Sequence, residues 1–120
     1  MTSDFDYAAF VRTLAKPGAD VLADLTPETA HLLHMAAGVS GEAGELLDAI
    51  KKAAVYKKAL DRENVIEELG DLEFYMEGVR QGVGVSRDEC LAANRAKLAK
   101  RYADKQYSNQ QAAERADKTA

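Results

Sequence analysis

Apolar residues recur along this chain at three- and four-residue steps, the period of a helix with one buried face. The clearest run is Val65, Leu69, Leu72, Met76 and Val79. It predicts a helix capped by Asp61 and running to about Gln81, stopped by Gly82 and Gly84. Upstream, Thr26 and Pro27 form a good helix start, with Thr as N-cap and Pro at the first helical position. Glu28 in the first turn suits the helix dipole. The pattern that follows runs from Leu32, Leu33, Met35, Ala36 and Val39 through Ala43, Leu46, Leu47 and Ile50 to about Tyr56. That predicts a helix of roughly thirty residues, about 45 Å long at about 1.5 Å per residue. Ser86 and Glu89 have the spacing of a capping box and open a helix to about Tyr102, with Leu91, Leu98 and Tyr102 toward the core. Residues 4–16 read as a short first helix, with Phe5, Ala8, Ala9, Phe10, Val11 and Leu14 as its apolar stripe and Pro17 and Gly18 as its stop. Residues 21–25 are too short to assign, and residues 57–60 are a connection. No strand pattern survives. The expectation is an all-α fold with one long central helix, spanning residues 1–103. Residues 104–120 are polar and poor in apolar anchors, so they read as a loose tail or an arm on a partner.

The long helix contains Gly38, Gly41 and Gly44, each costing about 1 kcal/mol against Ala. Close approach of another helix or of a ligand would compensate; a kink near residues 38–41 is the competing expectation. Just past Gly41 come Glu42 and Glu45. In the next helix the stretch EELGDLEFY sets Glu68 and Asp71 at the same spacing, with Tyr75 one turn on. Residues three or four apart share a helix face, so each helix projects a carboxylate pair. If the helices pack antiparallel, four carboxylates converge. Such a cluster repels itself and resists burial. Hard divalent cations relieve it, and Mg²⁺ prefers oxygen ligands. Asn94, Lys97 and Arg101 share a face of the last helix and offer an amide and two cations to a phosphate chain.

Each feature alone has a plainer meaning. A single Glu-x-x-Glu is common on a solvated face, Lys97 and Arg101 alone would be surface charges, and Tyr75 alone would be a core residue. His31 and His34 alone would pack or face solvent. Two carboxylate pairs, each beside glycine, tip the balance toward a metal site. Glu28 and His31 have the Glu-x-x-His spacing of di-iron bundles, but that site needs two such motifs and two more glutamates. No nucleotide glycine loop, EF-hand loop or nucleophile elbow is present.

Charge and composition narrow the function further. Sixteen basic and twenty acidic residues give a net charge of −4, which argues against general nucleic-acid binding. Residues 91–120 reverse the balance, with seven Lys or Arg against three Asp or Glu, so the last helix suits an anion held at the acidic cluster. Cys90 is the only cysteine, which excludes a disulfide framework and a cysteine zinc site. No signal peptide or membrane-length apolar run appears, so the expected location is the cytoplasm, without a membrane partner. A helix of about thirty residues is long for so small a domain. It leaves apolar faces uncovered in a monomer, which predicts a homo-oligomer.

The order Glu42-x-x-Glu45, then Glu68-x-x-Asp71 within EELGDL, resembles the MazG-like all-α nucleoside triphosphate pyrophosphohydrolases. LLHMAAGVSGEAGELLDAIKK, YKKALDRENVIEELGD and NRAKLAKRY extend the resemblance to the small single-domain members over roughly residues 30–115. It implies a four-helix bundle completed by oligomerisation, a dimer or tetramer with sites between subunits. It implies Mg²⁺-dependent hydrolysis of an NTP or dNTP to the monophosphate and pyrophosphate, with Mn²⁺ able to substitute, for nucleotide-pool adjustment or housecleaning. Carried over by position, Glu42, Glu45, Glu68 and Asp71 are the metal ligands. Tyr75, Lys97 and Arg101 touch phosphates, Asn94 orients phosphate or sugar, Lys52 fits by its face, and His34 lies toward the nucleoside end. Attack would fall on the α-phosphorus, with Glu45 or Glu67 taking the proton of the attacking water; the sequence leaves that choice open. Leu98 stands where many members carry an aromatic residue. A phosphoribosyl-ATP pyrophosphohydrolase and a non-enzymatic helical interaction module are the alternatives.

Overall fold

The computed structural model describes residues 4–104 and 106–118. Among these the chain is all-α: α1 (Tyr7–Leu14), α2 (Gly18–Asp24), α3 (Pro27–Ala54), α4 (Arg62–Val83), α5 (Arg87–Arg101) and α6 (Asn109–Glu114), then a 3₁₀ turn at Ala116–Lys118. The helix starts follow the sequence signals. Thr26 caps α3 in a reciprocal pair with Thr29, Asp61 accepts from Asn64 N–H to cap α4, and Ser86 and Glu89 close the box of α5. At its end α4 turns off through Gly84, whose φ of 85° is a left-handed conformation that glycine adopts without penalty. Asp6 caps α1. Residues 21–25, too short to assign from the pattern, fall mostly within α2, and Lys16 pairs with Asp24 across its ends. No described helix is long and apolar enough to cross a membrane.

The organising unit is the hairpin of α3 and α4. Later residues of α3 meet earlier residues of α4: Leu32 lies against Gly82, Met35 against Gly78, and Gly38 against Tyr75. The helices are therefore antiparallel, in a register set by glycine opposite a large side chain. α3 stays helical through its glycines rather than breaking at residues 38–41. Gly38 shows the reason for one of them, because a Cβ there would collide with the Tyr75 ring. Gly41 and Gly44 meet nothing within 4 Å in this chain.

Little of this apolar surface is sealed. Among the described residues, Met35 and Ala49 are the buried hydrophobic residues. Leu47 and Phe74 on the hairpin are 66% and 65% exposed. The radius of gyration is 20.8 Å, against about 14 Å for a compact chain of this length. α5 explains part of the excess. Its first turn meets the hairpin through Arg87, 3.6 Å from Glu73, but its main packing is with α6 and the 3₁₀ turn. The segment after residue 104, expected as a loose tail or an arm, thus contains a short helix and turn folded back on α5.

The glycine register generates a stability prediction. Gly38→Ala is expected to be about 1–3 kcal/mol less stable than Gly41→Ala, the cost of overpacking against Tyr75. Both variants gain the same helix propensity, so the difference isolates the clash. Urea denaturation of the two variants measures it; equal midpoints would contradict the packing.

Candidate metal centre

The hairpin register continues into the polar stripe. Glu42 of α3 comes opposite Glu68 and Asp71 of α4, and each offers a carboxylate oxygen within 4.8 Å of the others. The same i, i+3 geometry that was read from the sequence puts Glu68 and Asp71 on one face. Antiparallel packing supplies Glu42 from the other helix. Glu45 is exposed, yet its charge acts on Glu68, so it stands at the edge of the cluster. Glu67 is exposed and does not join the three.

The electrostatics are those of a site short of positive charge. Glu68 Oε2 is buried and has no hydrogen-bond partner among the described residues, an uncommon state for a buried acceptor. The Glu68 carboxyl is pushed up to about 7. The first cause is a hydrogen bond with Glu42, then desolvation, then the charges of Glu42, Glu45 and Asp71. With both carboxylates ionised neither can donate, so that bond needs a proton on one of them. Mg²⁺ holds oxygen ligands at about 2.0–2.1 Å, so opposite ligands stand about 4 Å apart. The cluster spacing is close to that, and its donors are all hard oxygens. The residues fit a divalent cation.

Around the carboxylates the structure gathers some of the expected side chains and separates others. Tyr75 is half-buried beneath Gly38, and its ring lies 6.4 Å from that of His34, which joins two of the expected substrate residues. Lys52 lies along α3 and pairs with Asp48 at 3.0 Å. That hydrogen bond, with the charges of Asp48, Glu45 and Asp61, raises its pKa. Asn94 and Lys97 are exposed on α5. Arg101 is held by Asp117. Among the described residues, no interaction joins Asn94, Lys97 or Arg101 to Glu42, Glu68 or Asp71 in the same chain.

Two charged residues were missed in the sequence. Arg80 is buried, with Nη2 donating to Glu73 Oε1 and Nε to Glu77 Oε1, both at 2.8 Å. Glu73 also faces Arg87, so this group ties α4 to the start of α5. The spacing of Glu73, Glu77 and Arg80 on one helix face was the available signal. Asp117 had none, because it lies sixteen residues from Arg101 in a segment without a hydrophobic pattern.

The raised Glu68 pKa sets a pH dependence. Between about pH 4.5 and about pH 7 the folded metal-free chain keeps a proton that the unfolded chain has lost. Its stability therefore falls as pH rises through that window and levels off above it. A cation must displace the proton, so affinity for Mg²⁺ is expected to rise up to about pH 7 and then level off. Calorimetric titration at a series of pH values checks this; an affinity flat across the window, or falling with pH, would contradict it.

No curated protein and no solved structure gives a significant match. A family model does: the MazG nucleotide pyrophosphohydrolase domain matches residues 30–104. The match takes in the hairpin from the second turn of α3 onward, all three clustered carboxylates and the whole of α5. The chain belongs to the MazG nucleotide pyrophosphohydrolase domain family.

Proposed function

We propose that this protein hydrolyses a nucleoside or deoxynucleoside triphosphate to the monophosphate and pyrophosphate, using Mg²⁺ held by Glu42, Glu45, Glu68 and Asp71, in nucleotide-pool adjustment or housecleaning. The observation that carries the reading is the carboxylate cluster with a buried, unpartnered Glu68 oxygen, inside a family match that covers most of the chain. A bound divalent cation makes an attacking water more acidic and neutralises phosphate charge. The protein residues do the rest. Glu42, Glu68 and Asp71 orient the cation-binding end. Glu45 accepts the proton of the water at a carboxylate oxygen; its charge reaches Glu68, which favours it over Glu67. Tyr75, Lys97 and Arg101 hold the β- and γ-phosphates, Asn94 orients phosphate or sugar, and Lys52 borders the carboxylate end. His34, beside Tyr75, faces the nucleoside. With the outer phosphates gripped, the atom left in line for attack is the α-phosphorus.

The active form in this reading is a homo-oligomer, a dimer or tetramer. Two observations support it. Leu33, Leu47, Ile66, Leu69 and Phe74 leave the hairpin half or more exposed on several sides, a large apolar surface for a stable monomer. The cationic face of α5 also stands apart from the carboxylates of its own chain. A second copy brings a second α5, and with it the cations that the phosphate chain requires.

Glu42→Gln, Glu68→Gln and Asp71→Asn are each expected to lower kcat/KM by more than about 100-fold, since even outer partners of metal ligands cost 10–100-fold. Circular dichroism should remain helical, and thermal stability without metal should rise because repulsion is relieved. A panel of triphosphates with Mg²⁺, read by pyrophosphate release, measures the effect. Retention of more than about a tenth of wild-type activity by two of the three would contradict the metal assignment. Sedimentation should find an oligomer at micromolar concentration; an active monomer there would contradict the shared site.

A further inference from the structure

The Arg101 guanidinium has a carboxylate dedicated to it. Arg101 Nε donates to Asp117 Oδ1 at 2.8 Å, and Nη2 donates to Oδ2 at 3.3 Å. Both partners are withdrawn from solvent: the Asp117 side chain is 4% exposed and that of Arg101 17%. On a chain with so little buried surface, this pair is among the best-shielded polar contacts. The 3₁₀ turn that carries Asp117 rests on α5, and α6 packs beside it. Ser108 caps α6, and Arg115 reaches φ 51° where the chain leaves α6 for the turn.

A buried ion pair is weak evidence for stability, because desolvation offsets much of the attraction. What a two-point pair does supply is direction. It fixes the plane of a guanidinium that would otherwise sweep through solvent on a flexible stem. Asp117 takes the Nε edge, with Tyr102 as the other side chain acting on the group. A guanidinium carries five N–H groups, so two hydrogen bonds to Asp117 and one with Tyr102 leave donors on the group for phosphate oxygens. The guanidinium keeps its proton, since the hydrogen bond to Asp117 raises an already high pKa.

We propose that Asp117 is a positioning residue for the reaction: it holds Arg101 so that the remaining N–H groups of the guanidinium grip the pyrophosphate portion of the substrate. The proposal rests on the reading of Arg101 as a phosphate contact. It makes the folded C-terminal turn part of the working site, although that turn lies beyond the span of the family match. Asp117 acts through Arg101 and does not touch the substrate.

The test uses the full chain, Mg²⁺ and inorganic pyrophosphate as the calorimetric probe, with steady-state kinetics on the best triphosphate. Asp117→Asn keeps the shape but weakens the grip, and is expected to weaken pyrophosphate binding and raise KM by about 10-fold or more, as misplaced binding groups do. The loss in kcat should be smaller. Asp117→Glu should recover part of the affinity. In an Arg101→Ala background, Asp117→Asn should add nothing, whereas a merely structural residue would add its own loss. Mg²⁺ affinity without pyrophosphate and the helical circular dichroism should stay at wild-type values in every variant. Tighter pyrophosphate binding by Asp117→Asn would mean that Asp117 competes with phosphate, and would overturn the proposal. Additive losses in the double variant, or wild-type behaviour of Asp117→Asn beside an active wild type, would overturn it while leaving the pyrophosphohydrolase reading intact. A wild type that binds no pyrophosphate and turns over no triphosphate would remove both.

Discussion

The structure depends on one constraint, the antiparallel register of α3 against α4. Glycines set it by letting large side chains of the facing helix sit against the backbone: Tyr75 at Gly38, Met35 at Gly78, Leu32 at Gly82. That register carries Glu42 to Glu68 and Asp71. The packing thus forces an unfavourable electrostatic arrangement, one that no cation from this chain relieves among the described residues. Lys52, two turns past Glu45 on α3, is paired with Asp48. The result is a carboxyl pushed up to about 7 and a buried oxygen without a donor. Strongly shifted groups of this kind are characteristic of functional sites.

The same hairpin leaves the chain unfinished. Two helices cannot enclose a core, and here the remaining helices do not enclose one either: α1 is exposed along its length except at Ala9, and α5 turns away to pack with the C-terminal segment. The clustered carboxylates and the cations of the later part of α5 consequently stand on different parts of one chain. Arg80, buried between Glu73 and Glu77 with Arg87 beside them, holds the junction where α5 departs. In the proposed assembly that departure is what lets one copy offer its cations to the carboxylates of another.

Much of this was legible in the sequence because it rests on local rules. Caps at Thr26, Asp61 and Ser86, the stop at Gly84, and the three-residue spacing of the acidic pairs each act within a turn of helix. Helix lengths followed to within a few residues. The continuity of α3 was the first expectation, but the pattern left a kink near residues 38–41 open, because spacing along one helix does not show that Tyr75 of the facing helix packs against Gly38. The fold-back of the C-terminal segment was not legible. Its best-shielded polar anchor is the pair of Arg101 with Asp117, and a polar contact between distant positions leaves no periodic trace. Glu45 shows the finer limit: spacing put it with Glu42, but helix rotation leaves it at the rim of the cluster, exposed.

The central claim is chemical: water activated at the carboxylate end reaches the α-phosphorus because the outer phosphates are held by the cations of α5. Hydrolysis in ¹⁸O-labelled water with Mg²⁺, followed by mass spectrometry of the products, reads the attacked atom directly. The account predicts label in the nucleoside monophosphate and unlabelled pyrophosphate. Label in the pyrophosphate would move attack to the β-phosphorus, and orthophosphate as the primary product would contradict the account.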